Sequence, residues 1–413
     1  MTQREGLTKI GYAALGVLTA AGAWGVLSVF RHGHALANTT QHVPWGLWVA
    51  LYIFFLGMST GAYLLSSLVY VFRVKRFEAA GPMALLQALG CLVLGGFLII
   101  MDLGHPLRIY KVLLSMNPTS VMGWMGLLYN FYIVIVVAQL VVAIRPQVVQ
   151  RVQSGAQPAW LYRWLACGST DLTSEGRQRD ARRLKILGIA GLPVTILVSG
   201  GVGVLFAVAK ARPNWFSGLF PIIFLISALA SGGALLTFLM AFGSRQPEDK
   251  KRVLVRDLAM LTIGILCFDW LLFLSEVLVT FYGNIPHEVI GWRLTLFGPY
   301  WWVFWFVQLG VGTLVPIGIL LRPRLRASSR WLGAAGLLAA FGILGTRLNI
   351  VIPPQIHPVF EALPDAYSHA RNAVGYFPSL YEWLVAAFTF AVGIWLFVAA
   401  RNVLPLEQGS DAR

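Results

Sequence analysis

Apolar residues along this chain come in ten long runs, each near or above the roughly 20 residues that a helix needs to cross a bilayer. The runs fall at about 8–30, 45–72, 79–101, 122–144, 184–209, 217–243, 256–282, 296–321, 329–349 and 379–400, with the polar residues gathered between them. The pattern predicts an all-α polytopic membrane protein with ten transmembrane helices. The first run has features of a secretory leader, because Arg4 precedes it and Ala35-Leu36-Ala37 resembles a cleavage site. Its apolar core exceeds the 7–15 residues of such leaders, so it is read as an uncleaved anchor.

A faint internal repeat overlies this pattern. Run 2 contains Ser59-Thr60-Gly61-Ala62-Tyr63-Leu64 and run 6 contains Ser231-Gly232-Gly233-Ala234-Leu235-Leu236. Asp102 follows Ser59 by 43 residues, and Glu276 follows Ser231 by 45. Four spans separate the copies, so both keep one orientation. That predicts a parallel repeat of two four-helix bundles, helices 2–5 and 6–9, with helices 1 and 10 as additions. The competing explanation is that small-residue runs recur in any bundle, because they let helices approach closely. On the repeat reading, 1–413 is a single integral membrane domain. It comprises a first span and outer loop (1–44), a first bundle (45–209), a second bundle (217–349), and a loop with the last span (350–413).

Composition agrees with the pattern: 57% of the residues are hydrophobic and 12% charged, against about a quarter charged in soluble domains. The net charge of +15 sits between the runs. With the N-terminus inside, the inner segments hold 24 of the 32 Lys and Arg, including eight between Arg145 and Lys185. The positive-inside rule therefore places both termini in the cytoplasm. The 145–184 loop is read as a solvated surface against anionic lipid rather than a nucleic-acid site. Cys91, Cys167 and Cys267 are far apart with no CxxC, so the chain lacks a motif for an iron–sulfur cluster or structural zinc.

The histidines narrow the chemistry further. His32, His34, His42, His105, His287, His357 and His369 all fall outside on this topology, and none lies deep in a span. A bis-histidine haem needs two imidazoles facing each other inside the bundle. Without haem or cluster, any redox role must pair a two-electron organic carrier with a partner's cofactor. Ile99–Asn130 has the equipment for the headgroup of such a carrier. Asp102, His105 and Arg108 leave helix 3, and Trp124, Tyr129 and Asn130 enter helix 4. Asn130, in an apolar run, needs a hydrogen-bond partner, either a quinone carbonyl or a neighbouring helix. The remaining aromatics at helix ends, such as Trp45, Trp292 and Tyr300-Trp301-Trp302, read as interfacial belt.

Charges inside apolar runs are functional suspects. Asp102, Glu276, Arg347 and Glu382 lie near outer helix ends, where a structural ion pair is an equally good explanation. Asp269 lies near the middle of helix 7, seven residues before Glu276 and on the same face. Two stacked carboxyls suggest a proton relay; the alternative is that Asp269 hydrogen-bonds a neighbouring helix and never titrates.

Three stretches resemble the membrane subunits of the NrfD and polysulfide-reductase type. They are His42-Val43-Pro44-Trp45-Gly46-Leu47-Trp48, then Asp102-Leu103-Gly104-His105-Pro106-Leu107-Arg108, then Asn117-Pro118-Thr119-Ser120 with Met122-Gly123-Trp124. Arg347-Leu348-Asn349 and Tyr376-Phe377-Pro378-Ser379-Leu380-Tyr381-Glu382 are similar to the longer ten-helix, HybB-like branch. The resemblance implies a haem-free, quinone-reactive subunit of a respiratory complex in a bacterial inner membrane, taking menaquinone or ubiquinone. It implies a periplasmic ferredoxin-like iron–sulfur partner and, through it, a molybdopterin enzyme, a hydrogenase or a multihaem cytochrome. It places the quinone pocket at Asp102, His105, Trp124, Tyr129 and Asn130, with His42 or Trp48 closing it. The family's polar contact in helix 2 is replaced here by Val49-Ala50-Leu51-Tyr52, which leaves Tyr52 for the role.

The sequence thus leads to a ten-span subunit exchanging two electrons and two protons between quinone and an external cluster. In that site His105 bonds a quinone oxygen, Asp102 orients it or takes the proton, and Arg108 favours the anionic form. Asp269, Glu276, Arg347 and Glu382 form the candidate proton pathway, and no residue set suggests a metal site. Two rivals differ in class: a secondary transporter, for which helices broken at matching positions are expected, and a purely structural anchor.

Overall fold

The computed structural model describes residues 3–406 apart from 156, 157, 167, 169, 361, 367 and 368. Cys167 and Arg413 of the sequence reading lie outside the described residues. Among these residues all regular structure is helical, and ten helices are long and apolar enough to cross a membrane. They are α1 (Gln3–His32), α2 (Leu47–Tyr70), α3 (Gly81–Asp102), α4 (Val121–Gln153) and α5 (Ser174–Ala207). The second five are α6 (Phe220–Gly243), α7 (Glu248–Gly283), α8 (Val303–Leu321), α9 (Ser329–Val351) and α10 (Leu380–Val403). The protein is a multi-pass membrane protein.

Every apolar run contains one of these helices, and the differences lie at their ends. α4, α5 and α7 continue past their apolar stretches into Arg- and Gln-rich sequence. Those residue types propagate a helix well, and local devices hold the extensions. The Thr173 hydroxyl caps α5 by accepting from the Gly176 N–H. Glu248 and Asp249 occupy the first turn of α7, where negative charge meets the positive end of the helix dipole. A buried ion pair, Arg145–Asp180, joins the extensions of α4 and α5. The run expected at 296–321 is divided: a separate helix, Pro286–Phe297, ends at Gly298, and α8 begins only at Val303. Pro299 explains the break, since proline lacks an N–H and drives the preceding residue out of the helical region. The first turns of α8, Val303–Leu314, are wound wide, and the Thr313 hydroxyl bonds the carbonyl five residues back, at Gln308 (2.9 Å).

α2 is the most enclosed span, with α6 and α9 next to it in burial. α2 packs against α3, α5, α6 and α9, and α6 packs against α2, α5, α7 and α9; α1 and α10 pair with each other at the periphery and lean on α3. The two small-residue runs meet at the α2–α6 crossing. A Cβ at Gly61 would run into the Ala228 backbone, and one at Gly232 into the backbone of Gly61 and Ala62. In lipid no hydrophobic force separates helix from tail, so close backbone approach of this kind supplies the packing energy.

The connecting segments alternate between two ends. One carries all seven histidines and the other most of the Lys and Arg. They are called the histidine end and the arginine end below.

Candidate functional site

α3 stops at Asp102 because Leu103 turns extended ahead of Gly104 and Pro106. Residues 103–120 then cross the histidine end in short turns, with Leu107 and Leu114 almost fully exposed (88% and 78%). Exposed leucines on a segment joining two spans suit a strip lying at the membrane surface. His105 and Arg108 are exposed on this strip. Asp102 is half-buried, no hydrogen bond reaches its carboxyl among the described residues, and the Glu382 carboxyl lies within electrostatic reach.

Seven residues earlier on the same face of α3, about 10 Å along its axis, lie Gly95 and its neighbour Gly96. A Cβ on Gly96 would stand 3.1 Å from the Tyr129 hydroxyl, and one on Gly95 3.5 Å from the Tyr52 carbonyl. These glycines open a notch that the two tyrosines enter, with ring centroids 6.5 Å apart. Tyr129 donates its O–H to the Leu92 carbonyl. One turn before Tyr52 on α2, Trp48 is buried and its indole N–H faces the Glu382 carbonyl at 3.3 Å. Asp102, Tyr52, Tyr129, Trp48 and Glu382 therefore line one stretch where α2, α3, α4 and α10 approach one another.

Glu382 is heavily engaged there. Its Oε2 accepts from the N–H groups of Asn38 (3.0 Å) and Ser379 (2.9 Å), its Oε1 from the Tyr376 hydroxyl (2.5 Å), and Ser379 completes a capping box on α10. Burial, with the Glu382 carboxylate beside it, pushes the Tyr376 phenol above its ordinary range and keeps it a donor. The remaining candidates sit elsewhere. Trp124 is exposed at the rim, with its N–H donated to the Pro118 carbonyl at 2.8 Å. Asn130 faces outward, and its amide donates to Gly126 of its own helix at 2.8 Å rather than to a neighbour. His42 is buried away from Asp102 in loop packing, its Nε2 3.0 Å from Asn372 Oδ1.

A second polar cluster lies between α6, α7, α8 and α9. Asp269 is buried there with the Ser227 hydroxyl beside it, and Arg347 is buried with its guanidinium 4.6 Å over the Phe224 ring. The two charged groups are electrostatic neighbours without a direct ion pair among the described residues. Asp269 lines a cavity of about 30 Å³ shared with Gln308, Thr313 and Thr346, room for one or two waters. Polar atoms without a protein partner crowd this region: Asp269 Oδ1, Arg347 Nε and Nη1, and Asn349 Oδ1. Others are satisfied: Asn349 donates to Gln308 Oε1 (2.9 Å) and the Trp270 N–H to the Thr313 hydroxyl (2.7 Å). Glu276 is apart from the cavity, accepting from the Ser217 hydroxyl at 2.5 Å. The sequence singles out Asp269 and Arg347 but not Gln308, Thr313 and Ser227. A signal for one of them is present, since Gln308 is a lone amide in an apolar run.

Among the described residues no group of three or more His, Cys, Asp or Glu gathers as a metal site would. The chain matches the family model described as polysulphide reductase, NrfD, over residues 35–359. It is 35% identical to a membrane-subunit relative from the selenate reductase of Mesobacillus selenatarsenatis, over 97% of this chain and 95% of that one. It is 27% identical to the Hdr-like menaquinol oxidoreductase integral membrane subunit of Archaeoglobus fulgidus, over 94% and 93%. It is 25% identical to the protein NrfD of Escherichia coli, over 76% and 96%.

Proposed function

The chain belongs to the polysulphide reductase NrfD family, and on that premise we propose that it is the quinone-reactive membrane subunit of a respiratory oxidoreductase. The observation that carries this reading is the end of α3. There a half-buried Asp102, without a hydrogen-bond partner among the described residues, shares one helix face with the Gly95–Gly96 notch and its two tyrosines. The name of the Archaeoglobus relative, a menaquinol oxidoreductase subunit, supports a quinone substrate, menaquinone or ubiquinone.

In this reading the quinone ring enters from the lipid beside α3 and α4. Asp102 exchanges a proton with one ring oxygen, and His105 and Arg108 close over it from the surface strip. Tyr52 and Tyr129 form the floor. Quinone plus two electrons and two protons gives quinol, and the electrons come from or go to an iron–sulfur cluster of a partner docked on the 102–121 side. That partner is a ferredoxin-like periplasmic subunit, itself joined to a catalytic subunit, with the histidine end facing outward and both termini cytoplasmic. Glu382 acts by position, holding α10 and Trp48 against the site. The second half, with its water-sized cavity between Asp269 and the Arg347 region, serves proton movement, and Glu276 continues that face of α7 toward the histidine end.

A fluorescent quinol analogue titrated into the purified protein tests the site. Quenching that saturates at one analogue per chain is expected. In Asp102→Asn the affinity falls about ten-fold, the loss of one charge-assisted hydrogen bond. Equal affinity in Asp102→Asn and Tyr129→Phe would remove the site from the end of α3.

A further inference from the structure

The segments that follow α5, α7 and α9 meet at the histidine end and enclose a cavity of about 200 Å³. It is separate from both clusters described above. Lys210, Arg212, His287 and His357 line it, and no carboxylate does. Arg212 is fixed in its wall. Nη1 donates to the carbonyls of Pro354 (3.2 Å), Gln355 (3.2 Å) and His357 (2.6 Å), and Nη2 to that of His42 (2.7 Å). Carbonyl dipoles orient a guanidinium, but they do not neutralise it. Lys210 has no ion pair among the described residues. The two imidazoles stand edge to face, with centroids 6.4 Å apart. The cavity is therefore a cationic bowl without its counter-charge.

Its position says which anion fits. Lys210 lies three residues beyond the end of α5, and His287 four beyond the end of α7. Helix ends mark the edge of the hydrocarbon, so this is headgroup depth. Around it the surface is apolar: Val359 in the lining and Phe360 beside it are exposed (49% and 70%), as are Ile285 and Tyr282 next to His287 (49% and 89%). Val279, one turn below Tyr282 on α7, is exposed as well. A freely dissolved anion has no use for such a rim, whereas an amphiphile with a charged head and acyl tails matches both parts. Basic pockets at helix ends in membranes hold anionic headgroups in this way.

We propose that this cavity seats the phosphate group of an anionic phospholipid, of the phosphatidylglycerol or cardiolipin class, with its acyl chains along the exposed end of α7. The lipid joins three segments, 210–214, 287–291 and 354–359, that no helix connects directly. It fixes the loops next to the partner-facing surface while leaving the α3 site free.

The test uses the whole complex, purified with its partner subunits into nanodiscs containing photoreactive phosphatidylglycerol, with photoreactive phosphatidylcholine as the neutral arm. After illumination, labelled peptides are mapped by mass spectrometry. The expected result is label from phosphatidylglycerol on segments 210–214, 282–291 or 354–360, with little from phosphatidylcholine. Replacing both Lys210 and His287 by Gln should cut that label about ten-fold, with Arg212 left intact so that the loops still fold. Equal labelling by the two lipids, or unchanged labelling in the double variant, would overturn the proposal. So would displacement of the label by millimolar inorganic phosphate, which would make the ligand a free anion. Absence of label in the complete complex, with label present once the partner subunits are stripped away, would assign the cavity to an acidic group of a partner and equally overturn it.

Discussion

Asp102 and Asp269 are both carboxyls set in long apolar stretches of sequence, yet their surroundings differ in kind. Asp102 is half-buried at a helix terminus beside another carboxyl, whereas Asp269 is enclosed with a guanidinium nearby and space for water between helices. The second arrangement makes a specific prediction. Arg347→Leu leaves Asp269 uncompensated, and the expected loss is about 3–5 kcal/mol. Adding Asp269→Leu to that variant should restore much of it. Thermal unfolding of the purified variants followed by tryptophan fluorescence checks this, and a double variant no more stable than the single one would mean that the two groups do not interact. Both aspartates are legible in the sequence because a charge in an apolar run stands out. Asn130 stands out equally, but it bonds its own helix and faces outward instead of joining Asp102. A polar residue in a run apolar all round carries no record of which face it occupies. Glu382 shows the other gap. Its capping box is spelled out by Ser379 and Glu382, but the N–H of Asn38 that it also accepts comes from a segment more than 300 residues away.

At the scale of elements, the crossing of α2 and α6 is where small changes have large effects. Gly232→Val introduces a side chain directly against the backbone of Gly61 and Ala62, and overpacking of this kind costs about 1–3 kcal/mol. Gly264→Ala on α7, where a Cβ meets nothing within contact distance, is the control, and its thermal midpoint should not fall. For α10, Glu382→Gln keeps the shape but weakens the cap, with an expected cost of about 1 kcal/mol and quinone turnover retained in folded protein. Helix number is legible from the apolar runs alone. The extensions of α4, α5 and α7 are not, because they are held by caps and an ion pair outside the apolar core, and the break before α8 rests on Pro299 within an otherwise apolar run.

At the scale of the molecule, the seven histidines and the arginine-rich segments lie at opposite ends, and the two polar clusters lie in different halves of the chain. Quinone chemistry is thereby assigned to the half with α3 and proton movement to the half with α7. In proteoliposomes, Asp269→Asn should keep quinone turnover within about two-fold and abolish the accompanying change in internal pH. Loss of both together would place Asp269 in the quinone reaction itself. The family resemblance is legible from the residues at 102–108 and 117–124, but not the Gly95–Gly96 notch, since glycine pairs in a span read as packing until the tyrosines beside them are placed.

Whether quinone reacts at the end of α3 is decided by quinone-analogue turnover coupled to the partner's iron–sulfur cluster in the assembled complex, comparing the unaltered protein with Asp102→Asn and His105→Ala. Both variants should assemble and still reduce the cluster from its own side. Asp102→Asn should lower quinone turnover by about 100-fold and His105→Ala by a smaller factor, the scale of losing a general acid–base group. Full turnover in both variants, with assembly intact, would show that the quinone reacts elsewhere.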